Sequence, residues 1–94
     1  MSEIKVINLP EKFDFSFHRE FTEHSKVHLS DTSCTSIMLD FSRVNYLDSS
    51  ALGMMVLLHK KAKKINIVTG LRGAKGVAAD ILEMANLNQL YDFS

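Results

Sequence analysis

Two hydroxyls follow a carboxylate at one point in this chain, Leu47-Asp48-Ser49-Ser50-Ala51-Leu52-Gly53. An apolar strand pattern with a short polar loop precedes them, and a strongly apolar helix pattern follows. The spacing places Asp48 where a capping side chain belongs and Ser49 and Ser50 in the first turn of that helix. A helix start carries partial positive charge and unpaired N–H groups, so a phosphate on either serine is well tolerated. The chemistry suggested is a phosphorylation switch read by a partner protein. The plainer alternative is that Asp48 caps a helix and the serines merely occupy its first turn.

Other residues that could do chemistry form weaker patterns. His24 and His28 stand four apart and could share a helix face as metal ligands, but no third ligand stands at a matching spacing. Cys34 is the only cysteine, so no internal disulfide is possible, and no His/Asp arrangement marks it as a nucleophile. Gly70-Leu71-Arg72-Gly73-Ala74-Lys75-Gly76 resembles a phosphate-cradling loop but lacks the Lys-Ser/Thr ending of a P-loop. It reads as a strand-to-helix turn, with a weak nucleotide contact as the alternative. No catalytic constellation and no cofactor motif emerges, which points away from an enzyme. The five methionines, Met54 and Met55 among them, read as core filler unless they prove exposed beside Ser49.

The elements that must position Asp48-Ser49-Ser50 follow from periodicity. Ile4–Leu9 alternates as a strand and Pro10 ends it. A second short strand is expected over 12–15. A helix follows from Ser16 as N-cap to about Lys26, with Phe17 and Phe21 facing the core. Residues 28–35 read as loop and 36–41 as a buried strand. The helix opening at Ser49 is expected to run to about Lys64. Its first half is apolar almost all round, so it should pack between a sheet and another element. Lys60, Lys61, Lys63 and Lys64 suit its negative C-terminal end, which accounts for the one basic cluster. Gly53 inside the helix suggests close approach of another backbone. Ile65–Thr69 reads as a strand ended by Gly70. An amphipathic helix follows from Ala74, with Val77, Ala78, Ile81, Leu82 and Ala85 as its buried stripe. The last strand is expected over 90–93. The order β-β-α-β-α-β-α-β predicts an α/β fold with a mostly parallel sheet packed by helices.

Composition narrows the function classes. Lys+Arg and Asp+Glu both number 11, for zero formal net charge, so nothing points to nucleic acid. Hydrophobic residues make up 46% of the chain, enough for a real core. The longest apolar run, Met54 to Leu58, is far short of the roughly 20 residues a membrane span needs. No apolar signal segment opens the sequence. A cytoplasmic protein that does not insert in a membrane is expected.

Asp40-Phe41-Ser42, the short loop and Leu47-Asp48-Ser49-Ser50-Ala51-Leu52-Gly53 together resemble the signature of STAS domains. The similarity is to the single-domain anti-sigma factor antagonists of bacteria. Ile67-Val68-Thr69-Gly70, the amphipathic helix and Leu87-Asn88-Gln89-Leu90-Tyr91-Asp92-Phe93 fit the same family, so the resemblance covers roughly residues 36–93. It implies that residues 1–94 form a single STAS domain. It also implies a partner-switching mechanism. The unphosphorylated antagonist binds an anti-sigma factor that is also a GHKL-type serine kinase. Phosphorylation of the serine after the aspartate releases that partner, and a PP2C-type phosphatase reverses the change. On this sequence the phosphoacceptor is Ser49, with Ser50 as second choice. Ala51 stands where the family often has glycine. The expected docking face comprises Asp48, Ser49, Ser50, Met54 and the loop residues Arg43, Asn45 and Tyr46. A second function is a constitutive STAS-like subunit of a membrane transporter complex for lipids, docking on an ATPase through the same surface.

Overall fold

Four parallel strands and three helices make up most of the computed structural model, which describes residues 3–93. In chain order they are β1 (Glu3–Asn8), β2 (Lys12–Phe13), α1 (His18–Ser30), β3 (Cys34–Asp40), β4 (Tyr46–Leu47), α2 (Ser49–Lys64), β5 (Val68–Arg72), α3 (Gly76–Met84) and β6 (Asp92–Phe93). Short 3₁₀ turns precede α1 at Phe15–Phe17 and β6 at Leu87–Gln89. The main sheet runs β1-β3-β5-β6 with every pair parallel. β2 and β4 form a separate parallel pair.

Register explains where the core sits. Ile7, Leu39, Leu71 and Phe93 lie side by side across the sheet. The first three are essentially inaccessible. This row, with Ile37 and Phe41, faces the buried residues Phe21 of α1 and Met55 and Leu58 of α2. Helices α1 and α2 also pack against each other. Both are crossovers between parallel strands, so they run in the same direction. The other sheet face carries Ile4, Val6, Met38 and Val68, of which Ile4 and Val68 are exposed.

Local differences from the sequence reading follow along the chain. Asp14, rather than Ser16, sets the entry to α1: its carboxylate accepts the Ser16 N–H at 3.0 Å and opens the 3₁₀ turn. α1 then continues to Ser30, because His28 and Leu29 are half-buried and the turn goes on beyond them. Cys34 accordingly begins a strand and is buried. At the end of α2, Ile65 and Asn66 are spent on terminating the helix. Their N–H groups bond Ala62 and Lys63 carbonyls, and Asn66 takes the left-handed conformation at φ 61°. β5 therefore starts at Val68. Gly70 lies mid-strand, where a Cβ would come within 3.1 Å of the Asp92 carbonyl and 3.5 Å of Met38. Finally, α3 opens at Gly76 rather than Ala74; its Val77 and the C-cap Ala85 face solvent while Ala78 and Leu82 fill the core.

Candidate functional site

The Asp48-Ser49-Ser50 turn is assembled from the C-terminal ends of β3 and β5. Asp40 ends β3, and its carboxylate accepts the Ser42 N–H at 2.8 Å while pairing with the Arg72 guanidinium at 3.1 Å. The Ser42 hydroxyl and N–H, with Arg72, hold this carboxyl below the usual aspartate range. Phe41 N–H bonds the Arg72 carbonyl at 2.8 Å, which ties the two strand ends together. Gly73 packs so closely on Ser42 that a Cβ would meet its backbone at 3.1 Å, and its φ of +76° also favours glycine.

The loop that follows is clamped from below. Val44 and Leu47 are buried, and Phe13 pairs with Leu47 across β2 and β4. The Asn45 and Tyr46 N–H groups both donate to the Glu11 carbonyl, at 2.9 and 3.3 Å. Arg43, Asn45 and Tyr46 are left pointing outward as exposed residues between these anchors. The pairing of Tyr46–Leu47 is not legible in a segment of this polarity, because two residues are too few to show a period.

Asp48 then caps α2. Its backbone is extended, at φ −110° and ψ −176°, and its carboxylate accepts the Ala51 N–H at 2.9 Å. Ser49 occupies the first helical position and is exposed. Ser50 is half-buried and turns toward α1. Ala51 is fully buried, so its methyl belongs to the core rather than to the surface around Ser49. Met54 is only 7% exposed and Met55 is inaccessible. Of the expected docking residues, Asp48, Ser49, Ser50, Arg43, Asn45 and Tyr46 share one end of the molecule. Met54 lies one turn farther on as part of a groove wall.

That groove has no counterpart in the sequence pattern. It holds about 460 Å³ between α1 and α2 and starts beside Ser50. Gly53 opens onto it with nothing within 4 Å of where a Cβ would stand, so the close backbone approach expected for this glycine does not exist. Ser25 also lines it, one step of four along the Phe17-Phe21 stripe.

The remaining candidates lead elsewhere. No group of three or more His, Cys, Asp or Glu side chains gathers to hold a metal among the described residues. Burial pushes the Cys34 thiol up, away from the reactive thiolate. No helix among the described residues is long and apolar enough to cross a membrane.

Comparison with known proteins completes the description of the site. Residues 2–94 match the family model of the STAS domain. The chain belongs to the STAS domain family. A STAS-domain containing protein of Pseudomonas aeruginosa is 32% identical over 90 residues, covering 95% of this chain and 86% of that protein. The anti-sigma factor antagonist SpoIIAA in its unphosphorylated form superposes with a TM-score of 0.82 at 18% identity, covering 100% of this chain and 82% of that one. Its phosphorylated Bacillus form gives 0.75 at 17%, covering 100% and 85%. A sulfate transporter family protein from Wolinella succinogenes also gives 0.82, at 13% identity, covering 99% and 80%. At these identities the structural likenesses establish a common fold, and the STAS architecture of β1 to β6 is that fold.

Proposed function

We propose that this STAS domain is a phosphorylation-switched protein-binding module acting as an anti-sigma factor antagonist. Ser49 is the phosphoacceptor, and a GHKL-type serine kinase and a PP2C-type phosphatase are its partners. The observation that carries the reading is the contrast at the head of α2. Ser49 is exposed at the first helical position, while the residues around it are held by the Asp48 cap, the buried Ala51 and the β2–β4 clamp.

The physics follows from that contrast. A phosphate on Ser49 adds about −1.5 to −2 charges at a helix N-terminus, where the dipole favours them. Nothing in the core has to move, so the change falls on the docking face. A partner carboxylate about 4 Å from the new charge would lose on the order of 4 kcal/mol per unit charge at an effective dielectric of about 20. Each 1.4 kcal/mol is tenfold in affinity, so release by about a hundredfold or more is within reach. Asp48 adds a like charge beside the phosphate and favours its removal.

The experiment is calorimetric titration of the anti-sigma partner into the parent, Ser49→Ala and Ser49→Asp proteins. Ser49→Ala should bind like the parent and resist phosphorylation, and Ser49→Asp should bind at least tenfold more weakly. Equal affinity for the two variants would sink the switch. The sulfate transporter family neighbour supports a second reading, a constitutive STAS-like subunit of a membrane transporter. Mass spectrometry of the protein from its own cells separates the two: unmodified Ser49 and Ser50 with co-purifying transporter subunits would favour the subunit.

A further inference from the structure

Apart from Arg43 and Tyr46, the face around Ser49 is made of small polar groups. Asn45, Asp48, Ser49 and Ser50 offer hydrogen bonds that water offers as well, so their net contribution to binding is small. Protein interfaces draw most of their affinity from a few large anchors, aromatic ones above all. Met54, the expected apolar member of this face, is only 7% exposed and cannot fill that role. Tyr46 is 48% exposed. Phe15 is 67% exposed, the most exposed aromatic side chain among the described residues.

The fold sets Phe15 beside the phosphoacceptor. β2 and β4 pair in parallel, with Phe13 opposite Leu47. Both chains stay extended for one more residue, Asp14 and Asp48, and each aspartate then caps a helical turn with its carboxylate. Phe13-Asp14-Phe15-Ser16 and Leu47-Asp48-Ser49-Ser50 thus run side by side, and Phe15 holds in the first the place that Ser49 holds in the second. Phe15 and Ser50 also border the same groove. The ring is held outward. Phe13 and Phe17 pack edge to face at 6.0 Å on the inner side, which leaves Phe15 between them on the outer side. The Asp14 carboxylate accepts the Ser16 N–H at 3.0 Å, the Asp14 carbonyl accepts the Phe17 N–H at 3.1 Å, and the Phe15 carbonyl accepts the His18 N–H. The His18 ring stacks on one face of Phe15, with ring centres 5.5 Å apart. A side chain ordered in this way loses little entropy when a partner covers it.

We propose that Phe15 is the aromatic anchor of the Ser49 docking face, and that the protein which reads Ser49 receives its ring in an apolar slot. The inference rests on the docking face proposed above and deepens it. Ser49 decides whether the partner stays, and Phe15 supplies the affinity with which it arrives.

The test uses the full chain and the anti-sigma partner of the Ser49 titrations. The chain contains no tryptophan, so Phe15→Trp places a single indole at the anchor. In the free protein its emission should be that of an indole in water. Adding the partner should shift that emission to the blue and protect it from acrylamide, read as the difference from the parent complex. Phe15→Ala should bind the partner about tenfold more weakly or worse in calorimetry. Its melting temperature should stay within about 4 °C of the parent, as for an exposed substitution. Phe15→Tyr, which keeps the ring, should restore most of the affinity. Parent-like binding by Phe15→Ala overturns the assignment, and so does an indole that remains open to acrylamide in the complex. The two readings fail separately. If Ser49→Asp weakens binding and Phe15→Ala does not, the switch stands and the anchor falls. If Phe15→Ala weakens binding while Ser49→Ala and Ser49→Asp bind equally, the anchor stands and the switch falls.

Discussion

Replacing Asp48 separates its capping of α2 from its proposed role in docking. In Asp48→Ala the Ala51 N–H loses its acceptor at 2.9 Å. Loss of an N-cap side chain costs about 0.5–2 kcal/mol across known cases. This site belongs in the upper half of that range, because Ala51 is fully buried and its N–H cannot turn to water. A loss of about 1.5–2 kcal/mol follows. For a domain of this size each kcal/mol moves the melting temperature by about 4–8 °C, so the midpoint should fall by about 6–16 °C. Asp48→Asn keeps an oxygen in the capping position and forfeits only the charge–dipole attraction, about 0.3–1 kcal/mol. Thermal and urea denaturation of the three proteins should therefore rank parent above Asn and Asn above Ala. A stability of Asp48→Ala within about 0.5 kcal/mol of the parent would refute the reasoning, as would an Asn variant no better than Ala. Partner affinities measured where all three remain folded then test the proposed docking role alone.

Two further outcomes follow from side chains that hold the frame. Tyr91 is buried with its hydroxyl donating to the Met55 carbonyl at 2.7 Å, and burial pushes its ionisation well above the usual phenol value. Tyr91→Phe should cost about 1 kcal/mol and lower the denaturation midpoint without altering the far-ultraviolet spectrum, and an unchanged midpoint would contradict this account. Asp40 ionises more readily folded than unfolded, so its stabilisation is complete above the usual aspartate value of 3.8 and is lost as pH falls toward the lowered folded value. Asp40→Asn should flatten the acid limb of the stability–pH curve, and an identical limb would remove Asp40 from the account.

The helix behind the serines was legible because its two ends carry strong local signals. Asp48 supplies the cap and the lysine cluster the finish, and α2 spans Ser49–Lys64 as the pattern predicts. β5 was less legible, since Ile65 and Asn66 are apolar and polar in strand-like alternation yet serve the helix end. Asn66 in the left-handed region is a signal that composition alone under-weights. Gly70 misleads for a related reason. It reads as a terminator, but its small size suits the close approach of the Asp92 carbonyl on the neighbouring strand. Exposure of Val77, Val68 and Ile4 shows the limit of hydropathy, which counts apolar residues without knowing which sheet face or helix face is covered. The groove was out of reach altogether, because it arises between α1 and α2 and neither helix contains it.

Each pairing in the main sheet joins strands separated by a crossover, and none is a hairpin. Contacts so distant along the chain form late and together, after the entropy of closing long loops has been met. The head of α2 stands where two such strands end, so its geometry is a property of the completed fold. A peptide cut from residues 40–53 would carry the same letters and none of that shape. On the switch proposed here, a partner that reads Ser49 therefore also reports that the domain is folded.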